Sequence, residues 1–387
     1  MGSRIEATSE GHTSTGCHRF AITRDGGMVL VDDVRRRRAI WLLIALAAVV
    51  VLGIAVSPAA RKPAPVFRPQ VVGYYVDEAG PTGSLGSLRE HVQELDVFSP
   101  LWHSIYPDGS VDSKVNPEAL EIARRARLQI LPLINAGEND DTFLRDPAAR
   151  DRAIAGIMEA VRRYNYDGVF LDVQLLPENG KTFAGSRDLL TDFVRRLRDR
   201  LKAERKTLAM AVIPQFETSP DVSAIYDYGA LARLVDRVAL MTYDRHQTSS
   251  PPGPVAPFGW VEGNIKDALK KGFRPGQILL GIATYGYDWP AGQAGGFSRP
   301  TREILERAGR LGAEVKWDER FQEPYYVYTA PGDRPREVWF ENKHTLKQKI
   351  SLVRKYRLAG VAIWRLGFEE DDFWRTLRAS LRPGAGR

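Results

Sequence analysis

Cysteine is almost missing from this chain: Cys17 stands alone among 387 residues. A single thiol excludes an intramolecular disulfide and any metal site built on cysteine. No Cys follows the long apolar run near the N-terminus, which excludes a lipoprotein anchor there. Histidine is sparse, six residues in all, and no two stand at ligand spacing. His103 and His246 are expected as polar rim residues, and neither a metal nor a cofactor is expected. No G-x-G-x-x-G and no P-loop occurs, which removes the usual motive for a doubly wound nucleotide-binding sheet. A strong charge bias is lacking too. The net charge is +7, but residues 1–62 carry nine Lys/Arg against five Asp/Glu, so the long remainder is nearly balanced. Nothing in that balance points to nucleic acid.

One long hydrophobic run is present. Arg35 to Arg38 are four arginines, and Ala39 to Val56 follow as 18 uncharged residues. A run of that length is just sufficient to span a bilayer. The arginines place the N-terminus in the cytoplasm, and Trp41 suits the interface. The expected order is a disordered cytoplasmic tail over 1–34, a basic flank and transmembrane signal-anchor over 35–57, and a Pro-rich linker over 58–69. Met28 offers a second start. The rival reading is a cleaved signal peptide, with small residues at Ala55, Ser57, Ala59 and Ala60. Either way the remainder is exported.

From Val71 onward apolar runs alternate with amphipathic stretches. Strands are expected at Val71–Val76, Val97–Trp102, Leu128–Ile134, Val169–Val173, Leu208–Ile213, Val238–Thr242, Ile278–Ala283 and Gly360–Trp364. Helical patterns separate them, as in Asp146 to Tyr164, where Ile154, Ile157, Val161 and Tyr164 share one face. Eight strands alternating with helices predict an α/β fold, a (β/α)8 TIM barrel over 70–382. The stretch 288–341 is too long for one crossover. It contains Lys316-Trp317, Tyr325 to Tyr328 and Val338 to Phe340, all strand-like, and reads as a small α+β insertion after strand seven. No internal repeat and no separate wall-binding module is visible.

In such a barrel, chemistry gathers at the carboxyl ends of the strands. Asp172 ends a buried apolar run, where a charge is costly unless paired or used. The other ends supply Tyr75, Trp102, Asn135, Gln215, Tyr243 with Asp244, Tyr285 and Trp364. Aromatic faces and polar edges complement the faces and hydroxyls of sugars, so a carbohydrate groove is expected.

The segment Tyr166 to Gln174 resembles the fourth strand of glycoside hydrolase family 18, the chitinase-like barrels, whose pattern is D-G-x-D-x-D-x-E. Asp167, Gly168 and Asp172 match; Phe170 replaces the middle Asp and Gln174 the Glu. Met241-Thr242-Tyr243-Asp244 matches the family's M-x-Y-D. Pro257 to Trp260 and Leu280 to Trp289 are similar to the branch of spore-germination and spore-cortex-lytic glycosidases, and Ala362 to Gly367 to its last strand. The resemblance covers about Val71 to Leu381. It implies substrate-assisted hydrolysis, in which the acetamido group of an N-acetylglucosamine residue attacks its own anomeric carbon. Asp172 would orient that group, Tyr243 would hydrogen-bond it, Asp244 would support both, and Trp364 would floor the sugar. Gln174 stands at the position of the acid. The expected function is therefore a membrane-anchored protein that binds peptidoglycan or a chitin-like polymer and cuts it poorly. The alternative is an active retaining glycosidase whose acid has moved to Glu178 or Glu217.

Overall fold

The computed structural model describes residues 20–22, 28–30, 67–80, 82–178, 182–329 and 334–382. The apolar run at 39–56 and most of the Pro-rich linker lie outside them. Among the described residues, no helix is long and apolar enough to cross a membrane. The tail expected to be disordered contains a short antiparallel pair, Phe20–Ile22 with Met28–Leu30. Two apolar triplets flank Asp25-Gly26-Gly27, a combination that favours hairpins.

Residues from Phe67 onward form a separate compact unit. Eight parallel strands follow one another around it: β1 (Gln70–Tyr75), β2 (Val97–Ile105), β3 (Leu133–Ala136), β4 (Gly168–Asp172), β5 (Thr207–Val212), β6 (Arg237–Leu240), β7 (Ile278–Ala283) and β8 (Gly360–Trp364). Strand β8 pairs with β1 and β1 with β2, so the sheet closes into a barrel and leaves no edge. The expected third strand is split. Gln129–Ile130 pairs with the start of β2, and β3 resumes after Pro132. Proline has no N–H to donate to a ladder, so the strand breaks there.

The helices form as their patterns require. Pro147–Arg163 starts at Asp146, whose carboxylate accepts from the N–H groups of Ala148 and Ala149, with Pro147 preset for the first turn. It buries Ala153, Ile154, Ile157 and Val161. Each aliphatic side chain so buried contributes about 1.5–3 kcal/mol. The turn into β4 needs a glycine. Gly168 has φ 155°, and a Cβ there would stand 2.0 Å from the Thr207 carbonyl oxygen.

Between β7 and β8 lies a five-stranded antiparallel sheet, in the order Phe297–Pro300, Tyr285–Pro290, Arg336–Phe340, Glu323–Tyr328, Lys316–Asp318, with one helix, Thr301–Leu311. This insertion begins at Tyr285, three residues before the expected boundary, so Tyr285 and Tyr287 belong to its first strand. Their hydroxyls reach back to the barrel, donating to Asp244 Oδ1 at 2.6 and 2.9 Å.

Candidate active site

A cavity of about 400 Å³ opens at the carboxyl end of the barrel. That volume suits a sugar-sized ligand. Tyr74 enters from β1, Asp172 and Gln174 from β4 and its exit, Met241, Tyr243 and Asp244 from the exit of β6, and Trp364 from β8. Loop residues Thr218, Ser219, Arg245 and Gln247, with Trp260 from the helix Phe258–Lys270, also line it. Trp364 packs edge-on to Tyr74 with ring centres 5.5 Å apart.

Asp172 and Gln174 form the polar centre. The Gln174 amide nitrogen donates to Asp172 Oδ1 at 2.8 Å and lies 3.1 Å from Oδ2. It also faces the Met241 sulfur at 3.4 Å. A carboxylate only accepts, so the amide must turn its nitrogen to it. Both amide hydrogens are then spoken for, and the carbonyl oxygen, an acceptor, is what remains for a ligand. Burial pushes the Asp172 carboxyl up to about 6, and the hydrogen bond from Gln174 pulls the other way. Asp244 sits in a left-handed conformation, φ 60°, which Asp tolerates better than most residues. Burial raises its carboxyl too, while the two tyrosine hydroxyls hold it down. Burial also lifts the Tyr243 phenol well above its ordinary value, so it stays a neutral donor.

Of the residues expected at the site, Asp172, Gln174, Tyr243, Asp244 and Trp364 come together in this cavity. Five others do not line it. Tyr75 is fully buried and faces away, packed edge-on to Phe98 and Trp102. Trp102 is buried in the same cluster. Side chains alternate along a strand, and the phase puts Tyr74 inside the barrel and Tyr75 outside. Gln215 is used internally, donating to the carbonyls of Ser223 and Tyr226. Asn135 accepts from the Ser104 hydroxyl at 2.7 Å and does not line the cavity. Tyr285 acts one layer back, through Asp244. His103 is not a rim residue. It is 1% exposed, lies between Ser113 and Tyr166, and burial pushes its imidazole down to about 4.

Neither expected substitute acid lines the cavity. Glu178 is exposed and takes a hydrogen bond from Asn139. Glu217 is exposed and stands 3.8 Å from Arg245. Among the described lining residues the carboxyls are Asp172 and Asp244. Sequence reading did not place Tyr74, Arg245 or Gln247 at the site, and it named Met241 and Trp260 only within matched motifs. Tyr74 and Arg245 were within reach, since each adjoins a named residue. Gln247 lies on a loop and carries no signal in the chain itself.

The sequence matches the family described as glycosyl hydrolases family 18 over residues 99–369. It is 31% identical over 294 residues to YdhD of Bacillus subtilis (strain 168), named as a sporulation-specific glycosylase, covering 72% of this chain and 67% of that one. It is 29% identical over 243 residues to the cortical fragment-lytic enzyme of the same organism, covering 61% of this chain and 54% of the relative. The chain thus spans about half the length of that second relative. Among solved structures, a chitinase from Chromobacterium violaceum superposes with a TM-score of 0.74 at 23% identity, over 81% of this chain and 99% of the other. That likeness concerns the fold. With the match spanning most of the barrel, the chain is a member of glycoside hydrolase family 18.

Proposed function

We propose that this protein binds an N-acetylglucosamine-containing polysaccharide in the barrel-end cavity and hydrolyses it poorly. The observation that carries the reading is Gln174, whose amide is committed to Asp172 and Met241 where a proton donor is required. Breaking a glycosidic bond leaves an alkoxide, and an amide has no proton acidic enough to give it. Loss of general acid catalysis costs about 10²–10⁴-fold in rate. The rest of the machinery suits binding. Asp172 can accept from and Tyr243 donate to an acetamido group, and Trp364 would offer a flat apolar face to a sugar ring. The cortical fragment-lytic relative and the chitinase-like fold support an amino-sugar polymer of peptidoglycan or chitin type. The run at 39–56 supports a membrane anchor with the barrel on the outer face, and cleavage after it would instead release the barrel.

The test is calorimetric titration of the full chain with an N-acetylglucosamine oligomer, followed by product analysis of the same sample over hours. Binding without cleavage is expected. Gln174→Glu is expected to raise hydrolysis by about 10²–10⁴-fold. Rapid cleavage by the unaltered chain would show that the acid lies elsewhere and end this reading.

A further inference from the structure

One lining residue carries a full positive charge toward the cavity and has no place in the scheme above. Arg245 follows Asp244 directly, and its side chain is 38% exposed. Its Nη1 donates to the Glu217 carbonyl oxygen at 2.7 Å. Its Nη2 stands 3.8 Å from the Glu217 carboxylate, which is beyond hydrogen-bond reach. A guanidinium has five N–H donors in a planar fork that fits a carboxylate with two parallel bonds. Most of that fork is unspent.

The loop that presents Arg245 is fastened along its length. Arg245 N donates to the Val255 carbonyl at 2.8 Å. The Glu323 carboxylate takes the N–H groups of Val255 and Ala256. Trp289 Nε1 donates to the Gln247 carbonyl at 3.1 Å, and Gly295 N to that of Thr248 at 2.8 Å. Gly253 packs so tightly on the His246 ring that a Cβ would lie 2.6 Å from it. On the far side, Trp260 lies 6.0 Å from the guanidinium and is pinned through Nε1 to the Phe216 carbonyl. A loop held this firmly loses little freedom on binding, which favours selective recognition by the side chain it presents. Its one described competitor is Glu217, 56% exposed, and an exposed pair at that distance is weak.

We propose that Arg245 reads a carboxylate on the bound glycan, so that the site selects an amino-sugar chain bearing lactyl ether acids, of muramic acid type, over a neutral chain. The inference rests on the carbohydrate reading above and names the polymer within it. A neutral amino sugar offers the fork only uncharged acceptors, hydroxyls and the acetamido carbonyl. A carboxylate offers two charged acceptors at matching spacing, and such charge-assisted pairs are roughly twice as strong as neutral ones.

The experiment uses the full chain and three tetrasaccharides, titrated at low and high salt. One alternates N-acetylglucosamine and N-acetylmuramic acid with free carboxylates. The second is the same molecule with its carboxyls amidated. The third is chitotetraose. The free acid is expected to bind about tenfold more tightly than the amidated form at low salt, with the advantage shrinking at high salt. Chitotetraose should follow the amidated form. Arg245→Gln should bring the ratio of free acid to amide close to one. Glu217→Gln should widen it, because a competing carboxylate is removed. Equal affinities in the unaltered chain, or a ratio that survives Arg245→Gln, would overturn the inference and leave the carbohydrate reading intact. Failure of all three sugars to bind would remove the carbohydrate reading and this one with it.

Discussion

At the scale of single residues, two positions in and just past β4 depart from the family pattern. Gln174 turns its amide nitrogen to Asp172, presents an acceptor to the cavity and carries no acidic proton. Phe170 stands where the family pattern has its middle Asp, and its ring centre lies 5.4 Å from that of Tyr74. Both the Tyr74 hydroxyl and the Ser99 hydroxyl are buried without a hydrogen-bond partner. Orphaned buried polar groups are rare and call for a reason. Here the strand that carries Phe170 offers them no acceptor. Asp172 keeps a titratable role. Its ordinary value is 3.8, and burial raises it to about 6 in the folded protein. Below about pH 4 the folded and unfolded forms are both protonated. Between about 4 and 6 the unfolded chain releases its proton first, so stability falls as pH rises, and above 6 the loss stays constant. Asp172→Asn removes that dependence. The variant is expected to gain up to about 3 kcal/mol on the unaltered chain as pH goes from 4 to 7, as an upper bound. Urea unfolding at both pH values measures the gain, and a difference that is the same at pH 4 and 7 would count against a desolvated Asp172.

At the scale of elements, the insertion after β7 does two jobs. It holds the rear of the site through Tyr285 and Tyr287, and it fastens the Arg245 loop through Trp289. Its own integrity depends on Asp288, which is fully buried. Arg336 Nε donates to it at 2.6 Å, Tyr328 Oη at 2.9 Å and Arg299 Nε at 3.3 Å, with Arg307 at 3.9 Å. Removing the single anion leaves three guanidiniums facing one another. Asp288→Asn is expected to cost about 3–5 kcal/mol, because breaking a buried pair strands its partners. Chemical denaturation reads that loss. A cost under about 1 kcal/mol would mean that the arginines are solvated independently of Asp288.

At the scale of the whole molecule, the lone thiol is a built-in reporter of topology. On the proposal that the run at 39–56 is an anchor with the arginines on its cytoplasmic side, Cys17 should face the cytoplasm. A membrane-impermeant maleimide should label Cys17 only after permeabilisation, and the full chain should sediment with membranes. Labelling in intact cells would reverse the orientation, and a chain found in the medium without Cys17 would indicate cleavage.

The barrel was legible from the chain because most of its strands are short, mainly apolar runs, and burial on both faces leaves that signature without help from distant residues. Asp172, Tyr243, Asp244 and Trp364 were legible because each lies at or just past the carboxyl end of such a run and matches the resemblance. What the chain alone did not decide was phase. Tyr74 and Tyr75 are adjacent and chemically alike, and only closure of the barrel turns one toward the cavity and the other into the outer cluster with Phe98 and Trp102. Nor did it decide which polar groups are already used. Gln215 and Asn135 look available in the sequence but have partners in the fold, and Glu178 and Glu217 lie outside the cavity they were expected to serve. Arg245 shows the converse. Its neighbours in sequence carry the motif, but its role depends on Val255, Trp260, Trp289 and Glu323, contacts that local pattern cannot encode and tertiary packing brings together.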